Sequence, residues 1–320
     1  MSMGTKKWLA AAAWLVTVGA VLFAAAMATN HWDFSLLSTE SFVTDTYEIE
    51  EGFSRIELNT ETADILFAAS EDKLCRVVCT EPENRKHSVG IRNGTLTIHS
   101  TDSRKWFEHI GISFQALKVT VYLPKAEYES IVIKASTGDV ERTDEIKVDS
   151  AEVSISTGDI RVNHISAGTV DFSASTGAIF ISDTACTGDL NACITTGDVN
   201  VRNVTCRNFF SNGSTSALAL EDVIAAEKIT VERSTGDVEL KRSDADQIFI
   251  KTSTGDVSGS LLSGKEFITD TSTGSISVPA AGGGGKCESE TSTGDINIVI
   301  SDGSEKECSR HTLHKKSSLG

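Results

Sequence analysis

Proline is nearly missing from this chain, with three in 320 residues, and aromatic residues make up only 6%. Basic residues are also short: 29 Lys and Arg stand against 45 Asp and Glu, a net charge of −16. That deficit argues against nucleic acid as a partner, since a phosphate backbone needs a basic face. The acidic surface serves solubility, and it suits cations or basic surfaces. Ser, Thr, Gly and Val dominate the second half. With so few prolines and rings, this composition fits stacked short strands and argues against a helical protein.

What the chain does have is a recurring phrase, Ser-Thr-Gly-Asp-Val. It runs from Ser136-Thr137-Gly138-Asp139-Val140 to Ser292-Thr293-Gly294-Asp295-Ile296. The glycine slot falls at 138, 158, 177, 197, 216, 236, 255, 274 and 294, always 19 or 20 residues apart. A fixed period of that size marks a solenoid. Thr precedes the slot in all nine copies, and an aliphatic residue follows it by two, as in Val140, Ile160, Val199 and Ile296. Further apolar residues sit seven and five places upstream, as in Ile131/Ile133 and Ile248/Ile250. This is period-two alternation, broken by a turn and then resumed. Gly suits a turn with positive φ, and Ser and Thr hydroxyls can bond backbone groups there. Such short strands are stable only when stacked. At about 4.8 Å per rung, nine copies predict a rod on the order of 40 Å long. The fold expected is therefore all-β: a parallel β-solenoid of about nine turns, with an N-terminal β cap and one transmembrane helix.

In chain order, residues 1–7 form a short tip carrying Lys6 and Lys7. Residues 8–29 carry no charge and would span ~33 Å as a helix, against ~30 Å of hydrocarbon. Trp8 and Trp32 bracket this run, and acids follow it, so the positive-inside rule places the N-terminus in the cytoplasm. A cleaved signal peptide ending at Ala26-Met27-Ala28 is the rival reading; both export the remainder. Residues 30–45 read as a stalk. Residues 46–134 read as a β cap over the first turn, with a hairpin at Asn93-Gly94 and a strand halted at Pro124. Arg104 to Glu108, with Trp106 and Phe107, is a candidate contact loop. Residues 135–300 are the repeats, with Gly282 to Gly285 read as a flexible edge loop. Residues 301–320 read as a disordered polar tail.

The anchor, the NGTLTI hairpin, the VTVYLP strand and the SIVIKASTGDV repeats together resemble the bacterial β-strand-repeat domain of unknown function known as a candidate adhesin. The resemblance covers residues 46–300. It implies a bacterial envelope protein, in some cases linked to envelope-stress operons, and carries no catalytic residue over. The chain departs from the pattern at Ser216, which replaces the turn glycine, and at Ala178, Ala217 and Ser275, which replace the Asp.

Asp139, Asp159, Asp198, Asp237, Asp256 and Asp295 share one register. Stacked carboxylates about 5 Å apart repel, which a cation could relieve, but the interruptions favour Asp as a turn former. Of seven cysteines, Cys186 and Cys206 lie one repeat apart, within disulfide reach on adjacent turns. Cys287 and Cys308 are similarly spaced, whereas Cys75 and Cys79 on one strand are too far apart to pair. Plain burial as small hydrophobes is the alternative for all of them. Cys308, His311 and His314 form a loose C-x2-H-x2-H that lacks a structural frame for zinc. His87, His99, His109 and His164 are scattered. Outward positions are mostly Ser, Thr, Asn and Asp without the clustered carboxylates a glycan-cleaving solenoid needs.

No catalytic, cofactor-binding or metal-binding residue is singled out. The function expected is a non-enzymatic, membrane-anchored, extracytoplasmic adhesin or envelope-binding protein, single-pass, with the membrane and a wall or protein partner as its contacts. The alternatives are an envelope scaffold that joins end to end and, last, a carbohydrate-active enzyme.

Overall fold

The structure is a computed structural model that describes residues 3–29, 32, 41–102, 116–142, 144–280 and 282–301. The Arg104–Glu108 loop, His109, Cys308 and the His311/His314 tail lie outside the described residues.

The apolar N-terminal run forms one helix, α1 (Met3–Thr29). Trp14, Leu15, Val16 and Leu22 are all exposed on it, so no protein core covers this surface. Thr17 and Thr29 turn their hydroxyls back onto the carbonyls of Ala13 and Ala26, at 2.8 Å each. That satisfies both hydroxyls against an apolar surface.

From Arg55 onward most of the described chain coils. A single column records the stacking through directly paired residues: Val119, Ile65, Val140, Ile160, Ile179, Val199, Leu218, Val238, Val257, Ile296 and Ile276. All these pairings are parallel, as the repeat requires. Each is buried except Ile276, and each fully buried aliphatic residue contributes roughly 1.5–3 kcal/mol. A coil presents three inward runs, for example Ile146/Val148, Ala151/Val153/Ile155 and Ile160/Val162. Two consecutive exposed residues, Asp149 and Ser150, mark the bend between the first two runs.

Another bend follows the third run. There His164, Asp183, Asn203, Asp222 and Arg242 all take φ of +49° to +56°. Asn and Asp enter this region at least cost because their side chains bond locally. Arg242 is held in it by a two-pronged contact to Asp222, Nε–Oδ1 2.9 Å and Nη2–Oδ2 2.6 Å.

Both ends of the stack depart from chain order. At the front, β2 (Arg55–Thr62) lies between β6 (Thr95–Asp102) and β8 (Glu127–Thr137), all parallel. Its continuation β3 (Asp64–Ala69) lies likewise between β7 (Lys118–Leu123) and β9 (Val140–Arg142). Antiparallel strands then close this end: β4 (Cys75–Pro82) on β7, β1 (Phe42–Ile49) on β4, and β5 (Arg85–Arg92) on β6.

At the back, the last coil in sequence, 286–300, is inserted between coil 247–261 and coil 266–277. The glycine run makes this possible. Gly282 packs on Gly264, where a Cβ would come within 2.7 Å of the Gly264 Cα, and the Gly284 N–H donates to the Gly264 carbonyl at 2.7 Å. The outermost coil is incomplete, its second strand being Ile276–Ser277 alone. The stack therefore has about eight complete repeat turns rather than nine.

Candidate functional site

One corner of the solenoid carries the Ser-Thr-Gly-Asp phrase on every rung. Strands on either side point their aliphatic residues inward, so the intervening Ser and Thr have nowhere to go but out. Both slots are exposed in all nine copies, from Ser136/Thr137 to Ser292/Thr293. The result is an in-register file of paired hydroxyls along one edge.

The glycine behind each pair is required twice over. Gly177 takes φ +140°, and a Cβ there would stand 1.8 Å from the carbonyl oxygen of Gly158 on the neighbouring rung. That close approach lets the Gly158 N–H reach the Thr176 carbonyl at 3.0 Å.

The aspartate slot is explained by the backbone. Asp139 Oδ1 accepts the Asp159 N–H at 2.8 Å, and Asp159 Oδ1 accepts the Ala178 N–H at 2.7 Å. Asp237, Asp256 and Asp295 repeat the contact at 2.9, 2.8 and 2.7 Å. Each of these five carboxylates thus caps the next rung, as expected of a turn former. Ser275 can lack the carboxylate because its coil is outermost and caps nothing. Its own N–H and hydroxyl both donate to Asp295 and hold that carboxyl below the usual range. The capping set begins earlier than the nine copies. Asp64 accepts the Asp139 N–H at 3.1 Å, and Thr62-Ala63-Asp64-Ile65 is the same phrase with Ala in the glycine slot. That signal is visible in the sequence once the Ala is allowed in the glycine slot.

The file breaks at the copy that reads Asn212-Gly213-Ser214-Thr215-Ser216. Ser216 lies outside the positive-φ residues, and its hydroxyl is buried with no partner among the described residues. The glycine has moved upstream: a Cβ on Gly213 would meet the Ser216 Oγ at 2.2 Å. Beside this break a groove of about 420 Å³ opens, lined by Thr195, Asn212, Gly213, Ser214, Ser234 and Arg233.

Arg233 is 4% exposed, although it occupies an inward position paired with Gly213 and Thr252. Its Nη2 donates to Ser211 Oγ at 2.8 Å and its Nη1 to the Glu232 carbonyl at 2.9 Å. Its Nε has no partner among the described residues, and burial lowers the guanidinium to about 10. Lys251 lines the same groove and pairs with Glu290 at 3.0 Å. A hydroxyl-lined groove over a donor-only guanidinium can hydrogen-bond an oxygen-rich ligand. The sequence showed the broken copy but did not show that Arg233 turns inward beneath it.

The six described cysteines are free thiols, so Cys186 and Cys206 stack as reduced neighbours, Cys186 Sγ donating to the Gly168 carbonyl at 3.1 Å. Cys75 and Cys79 are both buried and unpaired, as their separation on one strand requires. Among the described residues, neither His99 nor His164 belongs to a group of three or more possible metal ligands. His87, placed among the scattered histidines, in fact meets Glu81 and Cys79 inside the cap. Nothing in their spacing announced it, because Glu81 and His87 face each other only once β4 and β5 fold over the Glu83–Asn84 turn.

No curated protein matches the chain. Two solved structures share the fold. One is a candidate adhesin from Bacteroides fragilis, 14% identical, TM-score 0.50, covering 82% of this chain and 98% of that one. The other is a candidate lipid-binding protein from Parabacteroides distasonis, 16% identical, TM-score 0.50, covering 81% of this chain and 97% of that one. Identities this low establish the fold alone. The family match is broader: Toastrack DUF4097 matches residues 53–209 and 187–309, nearly the whole coiled region. With its rungs in file and its family pattern covering well over half its length, this chain belongs to the Toastrack DUF4097 family.

Proposed function

We propose that this protein is a non-enzymatic binding module, anchored by α1 with its solenoid outside the cytoplasm, that holds a polyhydroxylated chain of the cell envelope along its hydroxyl corner. The carrying observation is the file itself: exposed Ser/Thr pairs on nine successive copies, opening into the groove above Arg233. Rungs about 4.8 Å apart are close to the length of one sugar ring in a β-linked chain. Each rung can then meet one sugar with the same pair of hydroxyls. Individually such contacts are weak, and affinity comes from repetition along the strand. The candidate-adhesin description of the B. fragilis neighbour points the same way.

Full-length protein in lipid nanodiscs should co-sediment with purified envelope polysaccharide. Replacing Thr195, Ser214 and Ser234 together by Ala should weaken that retention about tenfold, at two to three lost hydrogen bonds. Retention unchanged by the triple substitution would remove the corner from the reading. For topology, protease added to intact cells should cut the solenoid; protection until lysis would reverse the orientation.

A second reading has its own observation. The outermost coil leaves Ile268 46% and Ile276 44% exposed on an open parallel edge, the kind of edge that pairs with another chain. End-to-end assembly follows if sedimentation shows concentration-dependent oligomers that an Ile268→Lys variant abolishes.

A further inference from the structure

We infer that Cys79, Glu81 and His87 form a binding site for a single divalent transition-metal ion of the zinc class inside the N-terminal cap. Cys79 and Glu81 sit two residues apart on β4, so their side chains leave the same face. The turn to β5 brings His87 over that face. The three side chains are buried, with exposures of 0%, 0% and 3%, and their ligand atoms all lie within 4.8 Å of one another. A tetrahedral ion with bonds of about 2.0–2.3 Å holds its ligand atoms roughly 3.5 Å apart. The group therefore needs rotamer adjustments of about an ångström and no movement of the strands.

The chemistry selects the ion. Thiolate sulfur and imidazole nitrogen are ligands for zinc, cobalt or copper, whereas calcium and magnesium require an oxygen cage. One thiolate and one carboxylate balance a 2+ charge, so the loaded site is neutral, as a buried site must be.

The surroundings already orient the ligands. His87 Nε2 lies 2.9 Å from Thr60 Oγ1, which leaves Nδ1 facing Glu81 Oε2 at 2.5 Å. Both Glu81 oxygens accept the His87 backbone N–H, at 3.0 and 2.9 Å, which fixes the carboxylate in place. A second partner on the far ring nitrogen is the usual companion of a metal-bound histidine. A Glu81–His87 hydrogen bond alone would account for two of the three groups; it does not account for a thiol at the same point.

Cobalt is the decisive probe, because a thiolate-to-cobalt charge-transfer band in the near ultraviolet reports sulfur ligation directly. Full-length protein in detergent, purified without chelator, unfolded and refolded with cobalt chloride, should take up one equivalent and show that band. Cys79→Ser should abolish the band while circular dichroism stays unchanged, and Cys75→Ser, on the same strand, should keep it. Thr60→Val should weaken binding 10–100-fold by freeing the imidazole. Should Cys79→Ser fail to fold, His87→Gln takes its place, read by metal content. Folded protein that takes up no stoichiometric cobalt or zinc, or a band that survives Cys79→Ser, would overturn the site.

Discussion

At the residue scale, the glycines and aspartates of the corner have separable duties. Gly177→Ala places a methyl against the Gly158 carbonyl at a backbone angle an L-residue resists, and should cost about 2–4 kcal/mol. Gly90→Ala, with nothing within 4 Å and no positive φ, should stay within about 0.5 kcal/mol. Urea midpoints for the two variants test this directly. For Asp139, the duty is to accept one N–H. Asp139→Asn keeps an acceptor and should be near neutral, while Asp139→Ala should lose about 1 kcal/mol. Were the carboxylates holding calcium instead, the Asn variant would lose a calcium-dependent rise in melting temperature. The corner was legible because its requirement is local: positive φ and a missing Cβ can be met only by Gly, so the slot repeats visibly. The inward turn of Arg233 was illegible, because it depends on the space above Gly213, which belongs to a different rung.

At the element scale, the inserted last coil depends on one buried cation. Lys265 is 1% exposed, and its Nζ meets Asp244 Oδ1 at 2.7 Å, the Ala245 carbonyl at 2.7 Å and Ser263 Oγ at 2.8 Å, and also the Gly284 carbonyl. It therefore ties the Asp244–Ala245 bend ahead of coil 247–261 to the two crossing connections that carry Ser263 and Gly284. Lys265→Met leaves Asp244 without its cation and the carbonyls without a donor, a loss of about 3 kcal/mol. Limited proteolysis should then cut first near Gly282 to Gly285. The composition of that glycine run predicts a flexible edge loop. The structure instead packs Gly282 and Gly284 against Gly264 and Gly285 against Asp246, because two connections must cross where the coils exchange places. Composition shows glycine but cannot tell a loose loop from a tight crossing.

At the scale of the whole molecule, stability should fall on both sides of neutrality. On the acid side, Arg76 holds the Asp72 carboxyl at about 2, and partners lower Asp295 and Glu221. A carboxyl depressed in the folded state stabilises above its unfolded value, and that contribution disappears as pH drops through the folded value. Melting temperature should thus decline from about pH 4 toward pH 2. On the alkaline side, burial pushes the Cys75, Cys206 and Cys287 thiols up to about 12. Groups raised in this way stabilise below the unfolded value, so ionisation of the unfolded chain should erode stability between pH 9 and 12. Thermal melts across both ranges check the two signs, and a flat alkaline limb would refute the buried-thiol account.

The sequence by itself determined the coil. A 19-to-20-residue beat of apolar residues, glycine and hydroxyls leaves a stacked parallel ladder as the arrangement that buries the repeating aliphatic columns, and α1 was equally plain from its uncharged run. Only the tertiary structure decided the order of the rungs at each end. There 55–69 slides inside strands 95–102 and 118–123, and 286–300 slides inside 266–277. It also decided that Cys79, Glu81 and His87 meet. The reason is the same in both cases. A repeat specifies what each rung looks like, and identical edges accept any neighbour. Which rung lies beside which is settled by the connections, the buried Lys265 and the antiparallel cap, whose contacts join residues that no local spacing relates.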